Sequence, residues 1–514
     1  MKKTNIWNIL SLVVWIVLII SEIVVGIMIL QLDMVPAKYL VVLFLIFALI
    51  ALLTGLLMYQ RQGKFLKKQS HVRQIIAYVL SVLIIIGCGI VSHAISKVSR
   101  TIDKITSTPQ ISAIVDLYVL NEDPAQQIAD TKDYIFAVTE FYDWENTQLT
   151  IAHVEKQLGV KINTVTYPNV FAMIDALYAG EANAMFLNSA YVDIMEDTEP
   201  YADFVDKARI IYEYEVVNKQ PAPETIPTGE STSPSIQETM PSDSEEIAPF
   251  IIYLSGSDTR KQTLVTSRND VNILAVVNPQ TKQILLINTP RDYYVPNPAG
   301  NGVKDKLTHC GIYGVDCSIT ALENLYNVDI SYYARINFTG FETLIDAIGG
   351  VTVYSDVAFT TTHGGYAIQK GDNYLNGSQA LGFARERYSL SGGDNARGKN
   401  QMKIITAVIN KMSSASTLIA NYASILDSLQ GMFVTDVPQD LISDLVKMQL
   451  SDMSDWNVLS YAVTGKGGYN TTYSMPNFSA YVMYPNQNTV DYGTQLINRV
   501  LSGEVLTSED MTVK

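Results

Sequence analysis

The chain has 514 residues, a formal net charge of -15, 48% hydrophobic residues and 17% charged residues. This length exceeds one ordinary domain, so two or three units are expected. The acidic balance argues against a general nucleic-acid binder, which usually presents a basic face. The hydrophobic excess is concentrated at the N-terminus, which indicates a membrane protein.

Three apolar runs near the N-terminus predict three transmembrane helices. They cover roughly residues 9–30, 39–58 and 75–95, each close to the roughly 20 residues that a helix needs to cross a bilayer. A signal peptide is a poor alternative, because two more apolar runs follow and no small-residue cleavage site ends the first. Glu22 is the only acidic residue in these runs. We favour its pairing with a polar group of a neighbouring helix over a functional role in the membrane.

Basic residues predict the orientation of these helices. Lys2 and Lys3 precede the first run. The loop between the second and third runs contains Arg61, Lys64, Lys67, Lys68 and Arg73. By the positive-inside rule the N-terminus and this loop are cytoplasmic, and the chain after about Ser99 is extracytoplasmic. The chain is therefore predicted to be a multi-pass protein of the cell membrane whose later residues have no access to cytoplasmic ATP.

Residues 107–217, called here the accessory region, predict a small α/β domain that follows the membrane region of residues 1–106. The β-rich runs AIVDLYVL, DYIFAVT, INTVTY, ANAMFLN and RIIYEYEV alternate with helical patterns at 149–158 and 170–178, which favours a partly parallel sheet. The stretch from Leu158 to Ile194 resembles part of a periplasmic-type solute-binding domain. We favour a packing or partner-binding role over a small-ligand sensor.

Residues 218–248 predict a flexible extracytoplasmic linker, because they are rich in Pro, Ser, Thr and Glu and contain few large apolar residues. Residues 249–514, called here the C-terminal region, mix strand and helix patterns. Strands are predicted at 250–256, 271–278, 283–289, 335–338 and 351–354, and helices at 318–326, 338–348, 376–383 and 399–411. This order predicts an α/β or α+β sandwich.

Charged residues recur beside the apolar runs of the C-terminal region. Arg268 and Asp270 lead into VNILAVVN, and Arg291 follows QILLINTP. Charges at the ends of buried strands are costly without a partner. Arginine suits bidentate binding of phosphate oxygens, and paired aspartates suit Mg²⁺. These residues predict a site for a phosphorylated ligand and a divalent metal. The full set is Asp258, Arg260, Arg268, Asp270, Arg291, Asp292, Arg385, Arg387, Asp394, Arg397 and Gln401.

An ordered series of motifs resembles the LytR-CpsA-Psr family. The motifs are GSDTR, SRNDVNILAVVNPQTKQILLINTPRDYYV, KLTHCGIYGVDCSI, INFTGFETLIDAIGGVTV, GFARERY and GDNARGKNQ. The resemblance covers the chain from about Phe250 to the C-terminus, and the three spans and accessory region resemble capsule-assembly members. It implies an α-β-α sandwich with a mixed central sheet. It also implies a ligase that moves a glycopolymer from a polyprenyl-pyrophosphate carrier onto peptidoglycan and releases polyprenyl phosphate.

The resemblance also implies roles for individual residues. Asp258 and Asp270 would hold Mg²⁺. The pyrophosphate would be bound by Arg260, Arg268, Arg291, Arg385, Arg387, Arg397, Gln401 and Lys306, although an ordinary loop role for Lys306 and nearby His309 is equally good. The catalytic residues would be Arg291, Arg397, Asp394 and Asp292, and the choice of Asp394 or Asp292 as general base stays open.

Residue spacing adds two geometric expectations. Arg385 and Arg387 would share a face on a strand and diverge on a helix. Arg397 and Gln401 would share a face on a helix that includes both.

A polyprenyl tail needs an apolar tunnel beside the arginines. Its predicted walls are Ile273, Ala275, Ile284, Leu286, Phe338, Phe341, Leu344, Ile345 and Phe383, although residues of this kind are usually plain core. Cys88 lies in the third span. Cys310 and Cys317 can form a disulfide in an oxidising compartment, but their spacing does not require one.

The sequence thus predicts a membrane-anchored transferase that attaches capsular or related polysaccharide to peptidoglycan with Mg²⁺ and no nucleotide. Its partners would be the lipid-linked glycopolymer, the peptidoglycan acceptor and capsule-assembly membrane proteins, and no nucleic acid. Two alternatives remain. One is a regulator that binds the lipid-linked polymer without turnover, and the other is a pyrophosphatase that uses water as acceptor.

Overall fold

The computed structural model describes residues 6–58, 71–106, 111–196, 198–217, 246–414, 425 and 427–512. Lys2, Lys3, nearly all of the basic loop and most of the predicted linker lie outside the described residues, so those interpretations stay predictions. The chain divides into two compact units. The first contains residues 1–104, 410–430 and 437–455, and the second contains residues 105–409, 431–436 and 456–514.

Three long apolar helices dominate the first unit, as predicted. They are α1 (Ile6–Leu32), α2 (Ala37–Met58) and α3 (His71–Thr106). Each is long and apolar enough to cross a membrane. Glu22 on α1 is buried, and no hydrogen-bond partner of its Oε1 atom is found among the described residues. The expected polar pairing of Glu22 therefore does not appear in the described part of the chain.

The accessory region contains a five-stranded sheet in the order β3-β2-β4-β1-β5. Strand β2 is parallel to β3 and β4, and β1 is antiparallel to β4 and β5, so the predicted partly parallel sheet is confirmed. The strands are β1 (Ser112–Leu120), β2 (Ile135–Thr139), β3 (Asn163–Tyr167), β4 (Ala184–Asn188) and β5 (Ala208–Val217). The helices are α4 (Trp144–Leu158), α5 (Val170–Ala179), α6 (Val192–Glu196) and α7 (Phe204–Lys207). Single 3₁₀ turns occupy Ile128–Thr131, Ser189–Tyr191 and Glu199–Tyr201.

Helix α5 shows how the local sequence determines an element of this region. The side chain of Asn169 accepts a hydrogen bond from the backbone N–H of Ala172 and caps the first turn. The helix ends at Gly180, whose φ of 72° lies in the left-handed region that glycine tolerates best.

The C-terminal region is built on a six-stranded mixed sheet in the order β16-β11-β6-β7-β8-β17. Strand β6 is parallel to β11, β8 is parallel to β17, and the other neighbouring pairs are antiparallel. The six strands are β6 (Phe250–Ser257), β7 (Asn269–Asn278), β8 (Gln283–Asn288), β11 (Tyr332–Asn337), β16 (Phe433–Thr435) and β17 (Asn457–Ala462). Short strands are β9 (Tyr294–Pro296), β10 (Lys304–Lys306), β12 (Val351–Ser355), β13 (Phe359–Thr360), β14 (Ala367–Ile368), β15 (Gly371–Leu375), β18 (Gly465–Asn470) and β19 (Ala480–Pro485).

Helices cover both faces of this sheet, which confirms the predicted α/β sandwich. One face packs through Tyr253, Leu274 and Leu285 into a core shared with α9 and α14. The other face lies towards α10, α11 and α12. The helices of the C-terminal region in the second unit are α8 (Leu307–Cys310), α9 (Val315–Tyr326), α10 (Phe338–Ala347), α11 (Gly377–Arg385), α12 (Gly393–Met412, whose last residues belong to the first unit) and α14 (Gln487–Leu501). Helix α13 (Gln439–Asp452) belongs to the first unit. Single 3₁₀ turns occupy Pro298–Gly300, Gly311–Tyr313 and Ser508–Met511.

The accessory and C-terminal regions pack against each other within the second unit. Ile312, Met475 and Ala480 join a hydrophobic cluster that consists mainly of accessory-region residues. The buried Tyr142 hydroxyl donates to the backbone oxygens of Tyr473 and Ser474, at 3.1 and 3.2 Å. A loop of the C-terminal region is therefore held directly by the accessory region.

Candidate functional site

A cavity of about 410 Å³ lies between the sheet of the C-terminal region and helices α10, α11 and α12. Most of its wall is apolar. The apolar lining comes from Leu254, Val271, Ala334, Ile336, Phe338, Phe341, Leu344, Leu381, Ala384, Ile404, Ile405, Val408, Ile409 and Phe433. A cavity of this composition suits a long apolar group. We call it the donor cavity, after the lipid-linked donor that the family resemblance implies.

Charged side chains line another part of the same cavity. They are Asp258, Arg268, Asp270, Arg291, Arg385, Arg387 and Arg397, and Gln401 and His363 lie with them. The fold explains this clustering, because β6 ends just before Asp258 and the antiparallel β7 begins just after Arg268, so both residues lie at one edge of the sheet. Helix α12 contributes Arg397 and Gln401 one turn apart, on one face as expected.

Asp270 is surrounded by arginines at the charged end of the donor cavity. Its Oδ1 atom accepts a hydrogen bond from Arg291 Nη1 at 2.6 Å. Burial alone would raise the pKa of Asp270, but the charges of Arg291, Arg397 and Arg268 outweigh burial and hold the pKa below its ordinary value. Asp270 is therefore an ionised carboxylate among cations.

A second cavity, of about 540 Å³, also borders Arg291 and Arg387. We call it the side cavity. Asp292, Lys306 and Asp394 line it, whereas none of these three lines the donor cavity. Asp394 forms an ion pair with Arg397, and burial raises the pKa of Asp394. Asp292 and Asp394, the two acids that the sequence analysis gave as candidate general bases, therefore both line the side cavity.

Most of the predicted site residues converge on these two cavities, but Arg260 lines neither. Its side chain is 59% exposed and lies 3.6 Å from Glu342. Arg385 ends α11 and packs on the ring of Phe338 at 4.5 Å, while Arg387 follows in a loop. The two arginines thus lie neither on one strand nor on one helix, although both reach the donor cavity.

Of the nine predicted tunnel residues, Phe338, Phe341 and Leu344 line the donor cavity. The other six, Ile273, Ala275, Ile284, Leu286, Ile345 and Phe383, are buried core that does not line it. The packing of α12 on β8 explains why the β8 residues Ile284 and Leu286 do not line the cavity. Gly398 of α12 lies so close to Asn288 that an added Cβ would be 2.3 Å from its side-chain nitrogen, so the helix covers this strand directly.

In the KLTHC segment, Lys306 lines a cavity whereas His309 has a structural role. Lys306 lies 3.7 Å from Asp292 in the side cavity. His309 is buried, and its Nδ1 atom lies 2.7 Å from Asp305 Oδ1. Asp305 also accepts a hydrogen bond from the Ser474 hydroxyl at 2.6 Å. His309 therefore supports the loops rather than the site.

The cysteines of this region are buried free thiols. The Cys317 thiol donates a hydrogen bond to Asn297 Oδ1 at 3.3 Å, and the interaction between the two thiols raises the pKa of Cys310 and lowers that of Cys317. A disulfide is not formed in the structure.

Arg335 is a residue that the sequence interpretation missed. It is fully buried on β11, and its Nη2 atom donates to the Ser267 backbone oxygen and hydroxyl at 3.3 and 3.2 Å. Ser267 in turn bonds Ser257 at 2.7 Å, so Arg335 supports the segments that carry Asp258 and Arg268. The available signal was the strand alternation, which places Arg335 on the same face as Tyr333 and Asn337, both buried.

The donor set fits a hard cation that takes further ligands from its substrate. Asp258 and Asp270 line one cavity, and Arg268 lies 3.7 Å from Asp258. Among the described residues, no group of three or more His, Cys, Asp or Glu side chains is placed to hold a metal. Mg²⁺ usually binds one or two carboxylates together with waters and phosphates, so two aspartates suffice for it.

Comparison with known proteins identifies several relatives. A polyisoprenyl-teichoic acid–peptidoglycan teichoic acid transferase TagU from Bacillus anthracis is 36% identical over 200 residues, which are 39% of this chain and 64% of the relative. The corresponding protein of Oceanobacillus iheyensis is 39% identical over 202 residues, covering 38% of this chain and 61% of the relative. The match thus spans less than two thirds of these relatives. The crystal structure of B. subtilis TagV is 24% identical with a TM-score of 0.43, covering 51% of this chain and 100% of that chain.

The family comparison is more extensive than these pairwise matches. The profile of the LytR_cpsA_psr family matches residues 220–490, which is more than half of the chain. This range includes every charged residue of the donor cavity and of the side cavity. The chain belongs to the LytR-CpsA-Psr family.

Proposed function

We propose that this protein transfers a glycopolymer from a polyprenyl-pyrophosphate carrier to a hydroxyl group of peptidoglycan. The observation that carries the proposal is the donor cavity, in which an apolar wall meets five arginines and two aspartates. One ligand with a long apolar tail and two linked phosphates satisfies both parts of this cavity. The relatives of this chain are named as transferases of polyisoprenyl-linked teichoic acid to peptidoglycan, which supports the same reaction class.

In this proposal the polyprenyl tail lies along the apolar wall and the pyrophosphate contacts the arginines. Arg291 and Arg397 are 15% and 9% exposed, so their charges are poorly screened by solvent. The two residues stabilise the negative charge that develops on the phosphoryl oxygens in the transition state. Arg268, Arg385, Arg387 and Gln401 hold the remaining oxygens.

The reaction is a displacement at the phosphorus atom attached to the glycan. The oxygen of the acceptor hydroxyl forms a bond to this phosphorus. The bond from the phosphorus to the bridging oxygen breaks, and its electron pair leaves with polyprenyl phosphate. The hydroxyl proton passes to Asp394, because its raised pKa makes the carboxylate a better base than an ordinary aspartate. The product is a phosphodiester between glycan and peptidoglycan.

We also propose Mg²⁺ as the cofactor, held by Asp258 and Asp270. When bound, the ion neutralises pyrophosphate oxygens and stabilises the leaving phosphate. The lowered pKa of Asp270 supports this assignment, since a carboxylate must be ionised to act as a metal ligand.

We further propose that the three apolar helices anchor the protein with the N-terminus in the cytoplasm and the C-terminal region outside. This orientation brings the donor cavity to the membrane face where peptidoglycan lies. We propose capsular polysaccharide as the glycopolymer and capsule-assembly membrane proteins as partners. Both follow from the resemblance of the membrane and accessory regions to capsule-assembly members of the family.

The test uses the full-length protein in lipid nanodiscs with labelled polyprenyl-pyrophosphate glycan and peptidoglycan. We expect equal amounts of polyprenyl phosphate and phosphodiester-linked product, with loss of both in Arg397→Ala. Arg499→Ala is the matched control, because Arg499 pairs with Glu504 and Asp510 and lines neither cavity. Parallel donors carrying capsular polysaccharide or teichoic acid test the proposed polymer.

Two outcomes would replace the proposal. Donor binding without product, across several acceptors, would favour a regulator. Release of polyprenyl phosphate at an unchanged rate without peptidoglycan would identify a pyrophosphatase.

A further inference from the structure

The side cavity is built from two regions that are far apart in the sequence. Thr198 and Pro200 of the accessory region form part of its wall. The rest of the wall comes from the C-terminal region.

The side cavity lies where the attacking hydroxyl of the proposed reaction would enter. It meets the donor cavity at Arg291 and Arg387, which line both. In a phosphoryl displacement the attacking and leaving oxygens lie roughly in line on either side of phosphorus. If the tail and leaving phosphate occupy the donor cavity, the attacking hydroxyl enters from the other space that reaches these arginines. Asp394 lines that space and can accept the proton.

The chemistry of the wall suits a saccharide. Tyr469 and Tyr481 are 71% and 41% exposed, and their rings meet edge to face with centroids 5.9 Å apart. An aromatic face packs against the apolar C–H face of a sugar ring, while Lys306 and Ser479 offer polar groups for its hydroxyls. The apolar part of the donor cavity, in contrast, is built largely from Leu, Ile, Val, Ala and Phe side chains.

The accessory region also holds the loop that forms this wall. Phe478 packs between Phe171 and Tyr201, with ring centroids 4.7 and 5.5 Å away. The Tyr142 hydroxyl bonds the loop backbone at Tyr473 and Ser474. The loop between β18 and β19 is therefore fixed by the accessory region on one side and by Asp305 on the other.

We propose that the side cavity binds the saccharide acceptor and that the accessory region, as part of its wall, determines which acceptor is accepted. This inference rests on the proposed transfer function and deepens it. It assigns to the accessory region a direct role in acceptor binding beside the site, in place of a remote sensing role.

The experiment measures transfer kinetics of the full-length protein with a soluble peptidoglycan oligosaccharide as acceptor. Tyr481→Ala should raise the acceptor KM about five- to ten-fold and leave the donor KM within about two-fold. Pro200→Trp, which places an indole in the cavity from the accessory side, should also raise the acceptor KM. Tyr354→Ala removes an exposed tyrosine that lines neither cavity and should change neither constant.

A second variant and a second measurement separate the possible failures. Ser479→Trp fills the cavity from the opposite wall, in case Pro200→Trp does not fold. Calorimetric binding of the same oligosaccharide reports on the cavity without turnover. The wild-type protein could bind the saccharide without transferring anything, and Tyr481→Ala could abolish that binding. This result would retain the inference and reject the transferase. Normal transfer with an unchanged acceptor KM in Tyr481→Ala and in the filled variants would overturn the inference and retain the transferase.

Discussion

Removing Arg291 should impair transfer far more than removing Arg260, although both arginines belong to the predicted pyrophosphate set. Arg291 is 15% exposed and borders both cavities. Loss of one preorganised charge-stabilising donor typically lowers kcat by about 10²- to 10³-fold. Arg260 is 59% exposed, lies 3.6 Å from Glu342 and lines neither cavity. Exposed pairs of this kind contribute so little that Arg260→Ala should change kcat by less than about five-fold.

The variants must first be shown to fold, because Arg291 also holds Asp270. In Arg291→Ala, Asp270 still has Arg268 and Arg397 as neighbours, so we expect a loss of about 1 to 3 kcal/mol in the free energy of unfolding. Arg291→Lys keeps the charge but loses the planar fork, and should fall between wild type and Arg291→Ala in rate. Thermal melting then confirms that the kinetic differences do not arise from unfolding.

The assay is initial-rate transfer at saturating donor and acceptor, in which kcat reports on the chemical step. Equal losses in Arg291→Ala and Arg260→Ala would refute the reasoning from burial and cavity lining. So would a folded Arg291→Ala protein whose kcat stays within about five-fold of wild type.

Three further predictions concern the metal, the base and the tail. Chelation with EDTA should stop transfer and added Mg²⁺ should restore it, with Asp258→Asn requiring a higher Mg²⁺ concentration; transfer that persists in EDTA would exclude this role. The rate should rise with pH as Asp394 loses its proton, with an apparent pKa above that of an ordinary aspartate, and Asp394→Asn should remove this limb of the profile. Val408 lies 11 residues beyond Arg397 on α12, which is about 16 Å along the helix axis. Val408→Trp should therefore raise the KM for long-tailed donors and leave the KM unchanged for donors with tails shorter than about 16 Å. Equal KM changes for both kinds of donor would contradict the tail placement.

The sequence predicted the sheet of the C-terminal region and the clustering of its charges for the same physical reason. Long alternating or apolar runs such as VNILAVVN predict buried strands, and charges that flank them must gather where strands end. Arg268, Asp270 and Arg291 behave in this way. The helix containing Arg397 and Gln401 was also recognised, although it begins at Gly393 rather than near Lys399.

The apolar wall was harder to predict, because alternation identifies a face of a strand but not what covers it. Ile273 and Ala275 pair with Leu254 and Ile252 of β6, so they share the face that borders the donor cavity. Helix α12 nevertheless lies against Asn288 of β8, so much of this face is core. The charged residues of the side cavity were predicted as site residues, but the wall that joins residues near 198–200 to residues 469–481 was not, because it has no local motif.

If Asp270 holds Mg²⁺ and Arg291 binds pyrophosphate as proposed, the contact between these two residues would couple donor binding to metal binding. In the structure Asp270 is bonded to Arg291, so neither side chain is fully available to a ligand. A pyrophosphate that draws Arg291 away would leave Asp270 free for Mg²⁺, and Mg²⁺ on Asp270 would leave Arg291 free for phosphate. Each ligand should therefore raise the affinity for the other by about ten-fold or more.

A Mn²⁺ titration followed by electron paramagnetic resonance, with and without donor, measures this change in affinity. In Arg291→Ala the donor-free protein should bind Mn²⁺ more tightly than wild type, because Asp270 has lost its closest competing cation. Weaker binding in that variant would show that Arg291 orients Asp270 for the metal instead of competing with it.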